Sequence, residues 1–246
     1  MPASALTSPS RGVRSVATAS RRAAILNAAL DLFVTKGFLA TTMDDVRRRS
    51  GASIGSIYHH FGSKEELAAA LYVEGLRDYQ NGYLGELDRH TGAEAAVKAV
   101  VRHHLNWIAS NRDLARFLFQ HRDPELRRAT KRPLGAANRR FFKTVTSWLE
   151  AQISRGAIRQ LPHDLYYALW IAPVQEFGRR WLHGHADAPI DQAAEILADA
   201  AWRSLATPER SDVAEPDTDA RGAARSRGEV TESGMSQVQT EGDAAA

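Results

Sequence analysis

Thr42, Ser53, Ser56, Tyr58, His59 and Lys64 stand close together in the chain and are the side chains best suited to chemistry with an outside partner. They are hydroxyls, a phenol, an imidazole and an ammonium, groups that donate to phosphate oxygens or read base edges. Ile54 and Gly55 lie among them. Small residues at a helix start let a backbone come close to a duplex. Catalytic patterns are missing by contrast. The chain has no cysteine, so no disulfide and no thiolate metal site is available. His103-His104 and His183-Gly184-His185 are the only spacings that look like metal ligands. Neither is accompanied by the carboxylate or third ligand that zinc requires. There is no glycine-rich phosphate loop and no nucleophile elbow. The expectation is a binding protein, not an enzyme, with no metal and no cofactor.

The elements that must position these residues are short helices. Thr42 caps the first, and Asp45 three residues on completes a capping box. Gly51 supplies the permissive backbone that ends it. Ser53 caps a second helix with Ile54, Ile57 and Phe61 at i, i+3 and i+7. Ser63 caps a third that opens Lys64-Glu65-Glu66-Leu67. Two short helices joined across a glycine turn make a helix-turn-helix, whose second helix fits the major groove of DNA. Val46 and Ile57 hold the pair together across the turn. Thr42, Ser53, Ile54, Gly55, Ser56, Tyr58, His59 and Lys64 are then the expected DNA contacts. Lys64 is assigned to a phosphate, at the free amide end of its helix.

The run Ile25-Leu26-Asn27-Ala28-Ala29-Leu30-Asp31-Leu32-Phe33, with Lys36-Gly37-Phe38, Thr41-Thr42, Gly51, Ser53, Ile57-Tyr58, Phe61 and Lys64-Glu65-Glu66-Leu67, resembles the tetracycline-repressor (TetR) family of bacterial transcriptional regulators. The resemblance covers roughly residues 20 to 70. It implies an all-helical dimer with a divergent C-terminal domain that binds a small molecule and thereby weakens DNA binding. One position departs from the pattern: Arg47 stands where the family usually has a small residue at the helix crossing. Arg47 is expected to lay its methylenes along the crossing and send its head to solvent, the alternative being a phosphate contact beside Arg48 and Arg49.

Composition fits a soluble globular protein, at 43% hydrophobic and 25% charged residues. No apolar run reaches the ~20 residues of a membrane span, and no apolar leader follows Arg11 and Arg14. A cytoplasmic protein with no membrane partner is the default expectation. Charge is unevenly spread. After Thr207 there are nine acids against four arginines, so the body ahead carries +8 of the overall +3. A basic body suits a polyanionic partner.

Four segments are expected: a disordered arm over 1–19, a helix-turn-helix domain over 20–66, a helical ligand-binding and dimerisation domain over 67–206, and a disordered tail over 207–246. The first helix is placed from a cap at Ser20 to Lys36. A connector helix leaves the DNA-binding unit from Ser63, with a break expected near Gly82 among Gly75, Gly82 and Gly85. Asp123-Pro124 reads as a cap and first helical position, and Pro133 should kink the long helix that follows. The fold class is all-α.

Aromatic residues on these later helices suggest an apolar pocket for an unknown small-molecule effector: Trp107, Phe117, Phe141, Trp148, Tyr167, Trp170 and Phe177, with His104 and His121 as polar candidates. Pro173 should bend its helix between Trp170 and Phe177. His104 sits on the apolar face of its helix, read first as a hydrogen-bonded core histidine. The last two apolar helices suggest a homodimer seam with Trp181, Trp202 and Leu205 as candidates. The reading is a ligand-responsive repressor binding a palindromic stretch of double-stranded DNA as a dimer. A helical protein-binding adaptor without DNA binding is the alternative, and an enzyme the remoter one.

Overall fold

The computed structural model describes residues 11–119 and 124–208. Ten helices build this part: α1 (Arg11–Thr35), α2 (Met43–Ser50), α3 (Ile54–His60), α4 (Lys64–Arg89), α5 (Ala93–Ser110), α6 (Arg112–Phe119), α7 (Pro124–Ser154), α8 (His163–Trp170), α9 (Ala172–Leu182) and α10 (Ile190–Leu205). Among the described residues the only β pairing is an isolated bridge between Ile158 and Ala206. There, amides of Arg159 and Thr207 donate to the carbonyls of Leu205 and Ala157, pinning the end of α10 beside the α7–α8 turn.

The N-terminal three-helix unit forms where its capping chemistry directs. The Thr42 hydroxyl accepts from the Asp45 amide at 3.1 Å while the Asp45 carboxylate accepts from the Thr42 amide at 2.9 Å. Gly51 ends α2 in the left-handed region at φ 67°. Ser53 and Ser63 accept from the amides of Ser56 and Glu66, each three residues on. Caps of this kind stabilise a helix by about 1 kcal/mol each. Ile25, Ala29, Phe33, Val46, Ile57, Phe61 and Leu67 close a solid core behind them. Thr41 is buried too, its hydroxyl donating to the Gly37 carbonyl at 2.7 Å, which fixes the α1–α2 loop.

Several sequence expectations shift. Helix α1 begins at Arg11, well ahead of Ser20, so only residues 1–10 of the expected arm lie outside the described residues, as does the tail from residue 209. Helix α4 does not break at Gly82. Glycine serves close packing there instead: a Cβ on Gly82 would fall 2.1 Å from the His103 ring, and one on Gly75 would fall 2.7 Å from Leu114. Helix α7 begins at Pro124 as expected and continues past Pro133 as one helix, while Asp123 lies outside the described residues. Pro173 does more than bend its helix. The helix is interrupted at Ile171, whose φ of −101° departs from the regular helix, and restarts as α9 with Pro173 in the first turn, where its missing N–H costs nothing.

The larger helical body packs around α5. Val97, Val100, Val101, Leu105 and Ile108 bury one full face of α5 against α4, α8, α9 and α10. Gly178 lets α9 approach closely, since a Cβ there would lie 2.4 Å from Ile108.

Candidate functional site

The helix-turn-helix sorts its side chains by burial. On α3, Ile57 is 0% and Phe61, its C-cap, 3% exposed, and both seat the helix on α1 and α2. Ile54 and Tyr58, on the same short helix, are 43% and 51% exposed. Ser53, Gly55 and His59 are exposed as well, and Ser56 partly so. Ile54 therefore leaves the apolar stripe that its spacing suggested and joins the outer face. A Cβ on Gly55 would meet nothing within 4 Å. Nothing inside the chain requires a glycine at that place, so its smallness is available to an outside surface.

Two expected contacts are committed elsewhere in this structure. The Lys64 ammonium donates to the carbonyls of Phe38 (3.0 Å) and Leu39 (3.3 Å) and lies 4.5 Å from the centre of the Phe38 ring. It ties the α1–α2 loop to the start of α4, with two of its three hydrogens used. The Thr42 side chain is occupied by the capping box, although the residue is exposed. The three arginines of α2 are also paired. Arg47 donates to Asp44 at 2.7 Å, Arg48 meets Asp44 and Asp45, and Arg49 reaches Asp31 at 2.9 Å. Arg47 is exposed, with its guanidinium held by Asp44 on its own helix. Hydrogen bonds from Lys36, then from the Thr42 amide and hydroxyl, hold Asp45 well below the ordinary carboxylate range.

A cavity of about 490 Å³ opens in the helical body, walled by α4, α5, α6, α7, α8 and the Ile171 junction. Of the residues expected there, His104, Trp107, Phe141, Tyr167 and Trp170 line it. Phe117, Trp148 and Phe177 do not. Phe117 is buried in the N-terminal core, stacked 5.6 Å from Phe33. Trp148 stands behind Trp170, 5.8 Å ring to ring, and Phe177 packs against the core of the body. His121 lies outside the described residues.

Sequence reading missed the α4 wall. Tyr72, Leu76, Tyr79, Gln80 and Tyr83 all line the cavity. Their spacing of i, i+4, i+7, i+8 and i+11 marks one helix face, a signal hidden while α4 was read as a connector. Most polar groups of the wall turn their hydrogen bonds inward. Gln80 donates to Asn138 at 2.9 Å, Tyr167 to Gln175 at 2.7 Å, Trp107 to Asp78 at 2.7 Å and Trp170 to the Val97 carbonyl at 3.2 Å. The Tyr79 hydroxyl and His104 Nδ1 are 2.7 Å apart. His104, expected as a core histidine, is both: it is 6% exposed and lies on the cavity wall. Its burial, with His103 beside it adding, holds the imidazole down to about 4, so the ring is neutral at pH 7.

Helix α6 joins the two regions. Phe117 on one face enters the N-terminal core, and Ala115, Leu118 and Phe119 line the cavity. Helix α4 does the same over a longer distance, from Leu67 in that core to Tyr83 in the wall. Among the described residues no helix is long and apolar enough to cross a membrane.

Comparison with known proteins bears on both regions. Residues 25–71 match the family described as bacterial regulatory proteins, tetR family. Over 190 residues the chain is 26% identical to the HTH-type transcriptional activator FasR of Mycolicibacterium smegmatis, a match covering 75% of this chain and 83% of that protein. It is 33% identical over 106 residues to the HTH-type transcriptional repressor KstR2 of Mycobacterium tuberculosis, covering 40% of this chain and 53% of that one. Relatives matched at 30% identity or more are thus spanned over about half their length or less. A TetR family transcription regulator from Marinobacter aquaeolei VT8 superposes with a TM-score of 0.66 at 18% identity, over 79% of this chain and 100% of its own.

Proposed function

We propose that this chain, whose residues 25–71 match the family of bacterial regulatory proteins described as tetR, is a ligand-responsive, DNA-binding regulator of transcription, acting as a repressor at a two-fold symmetric operator. One observation carries the reading: a seven-residue helix buries Ile57 and presents Ile54, Gly55, Tyr58 and His59 outward together. A helix held from behind and polar in front is what a major groove accepts. Tyr58 and His59 then read bases or phosphates, Gly55 permits close approach, and the exposed hydroxyl of Ser53 lies at the helix entry. Lys64 and Thr42 act indirectly, by holding α4 and α2 in place.

A single such helix reads few bases, so the proposal includes a homodimer whose two copies meet successive half-sites. Leu165 on α8 and Ile196 on α10 are exposed apolar residues that suit a seam between C-terminal helices. Leu205, an earlier candidate, is fully buried in its own chain, and Trp181 carries the Arg112 guanidinium over its ring at 4.5 Å. The cavity takes the effector. Because α4 and α6 each touch both the cavity and the N-terminal core, a molecule that spreads the wall changes how α3 is presented and releases the DNA. The reading is one of binding, with no bond made or broken.

Titrating the protein against labelled DNA from upstream of its own gene, at 50 and 200 mM salt, tests this. Saturable, sequence-specific binding is expected, with affinity dropping about 10³–10⁵-fold between the two if each dimer makes 6–10 phosphate contacts. Weak binding indifferent to sequence would remove the regulator reading and favour the adaptor. Tyr58→Ala should weaken specific binding about 10–100-fold with an unchanged melting temperature. Equal affinity for wild type and variant would take Tyr58 out of the groove.

A further inference from the structure

Several polar groups on the cavity wall are paired within the chain. Gln80 donates to Asn138 and Tyr167 to Gln175. Tyr166 donates to the Arg159 carbonyl and accepts from the Leu161 amide. Lysine, arginine, aspartate and glutamate are missing from the wall among the described residues. An ionised ligand entering here would lose its hydration and find no opposite charge among the described wall residues, a loss that apolar contacts do not repay.

Among the described wall residues, one has a fully buried polar atom left unpaired. His104 Nε2 is buried and has no hydrogen-bond partner among the described residues. Its tautomer follows from its neighbour. The Tyr79 phenol stays protonated, because burial raises its pKa, and His104 Nδ1 is the one acceptor found for its single hydrogen among the described residues. Tyr79 therefore donates to Nδ1, and the neutral ring carries its own hydrogen on Nε2. This N–H lies just beneath the wall, so a ligand oxygen meets it when a neighbouring side chain yields. An unpaired buried donor weakens the folded state, and a ligand that pairs with it recovers that loss.

We propose that the cavity selects an uncharged, largely apolar molecule carrying one hydrogen-bond acceptor, a carbonyl oxygen, which receives the Nε2 hydrogen of His104. Aromatic rings from three sides supply the rest of the contact: Tyr79 and Tyr83 from α4, Phe141 from α7 and Trp170 from α8. This rests on the reading of the cavity as the effector site, and the experiment separates the two.

Matched ten-carbon probes test it: 2-decanone, decanoate and decane, each displacing the neutral dye Nile red from the full-length protein at pH 7.5. Decanone should bind about tenfold more tightly than either of the others. In His104→Leu the advantage over decane should vanish, while decane binds as before. Tyr79→Phe frees the ring to change tautomer and should shrink that advantage without abolishing dye uptake. Decanoate binding as tightly as decanone, or a decanone advantage that survives His104→Leu, would overturn the proposal. If His104→Leu does not fold, the ranking of the three probes on the native protein still decides. Nile red that fails to bind, or that binds equally to a Val145→Trp variant with the cavity filled, would instead discard the cavity as a ligand site.

Discussion

The two aromatic clusters of this molecule are built from similar residues and end in opposite states. In the N-terminal unit Phe33, Phe38, Phe61 and Phe117 pack with Ile25, Val46, Ile57 and Leu67 in one buried cluster. In the helical body Tyr79, Tyr83, Trp107, Phe141 and Trp170 stand around about 490 Å³ of space. The difference lies in what surrounds the rings. Short helices joined by tight capped turns let the first set converge from every side. The second set projects from α4, α5, α7 and α8, with rings set against one another across the space, such as Tyr83 with Phe141 at 5.1 Å and with Trp170 at 5.7 Å. Edge-to-face aromatic pairs keep centroids 4.5–7 Å apart, and a wall made of them encloses space more readily than it fills it. Closed packing suits a unit that must present one fixed surface. An open wall suits one that must take in a guest.

Truncating one ring from each cluster puts this contrast to its hardest test. Phe33→Ala should cost about 3–5 kcal/mol, because nothing can collapse into the vacated core. Phe141→Ala, which only enlarges an existing space, should cost under about 2 kcal/mol. Urea denaturation of both variants measures the gap, and equal losses would mean the two clusters are packed alike.

His104 supplies the next largest effect. Its imidazole is held down to about 4, chiefly by burial, against an ordinary 6.5. The unfolded chain therefore takes up this proton at higher pH than the folded one. Stability is complete above about pH 6.5 and falls as the pH drops toward 4, by up to about 3 kcal/mol. The titratable groups shown against the ring are His103 beside it and Tyr79, whose hydroxyl meets Nδ1; Tyr83, His163, Tyr166 and Tyr167 line the same cavity. The Tyr79 and Tyr83 phenols, raised by burial, stay neutral in that window. Stability curves at pH 7, 5.5 and 4.5 should be steeper for the native protein than for His104→Leu. Parallel curves would show that the ring is accessible to protons in the folded state.

The smallest effects sharpen the comparison along one helix. Gly82→Ala forces α4 away from His103 and should destabilise by about 1–3 kcal/mol. Gly85→Ala, three residues on with nothing near its Cβ position, should stabilise by about 0.5–1 kcal/mol. Thermal melts that move in the same direction for both would remove close packing as the reason for Gly82.

Much of the N-terminal unit was legible residue by residue because its signals are local. Thr42 with Asp45, Gly51, Ser53 and Ser63 each act on backbone groups within four positions, so spacing alone places the helix ends. The exposure of Tyr58 and His59 opposite Ile57 follows from helical periodicity. Ile54 was ambiguous for the same reason, since periodicity says which residues share a stripe but not how wide the neighbour's cover reaches. The hold of Lys64 on the α1–α2 loop was not legible, because its partners, the carbonyls of Phe38 and Leu39, are distant in the chain and carry no side-chain signature.

In the helical body the sequence determined that there would be helices, roughly where they end, and that aromatic residues would be plentiful on them. Which rings face a cavity and which plug a core was decided by tertiary structure alone. Phe117 and Phe141 look interchangeable in the chain, yet one locks the N-terminal unit and the other lines the cavity. The physical reason is range: a helix and its caps are set by neighbours a few residues away, whereas a wall exists only once α4, α5, α7 and α8 have met and fixed the space between them.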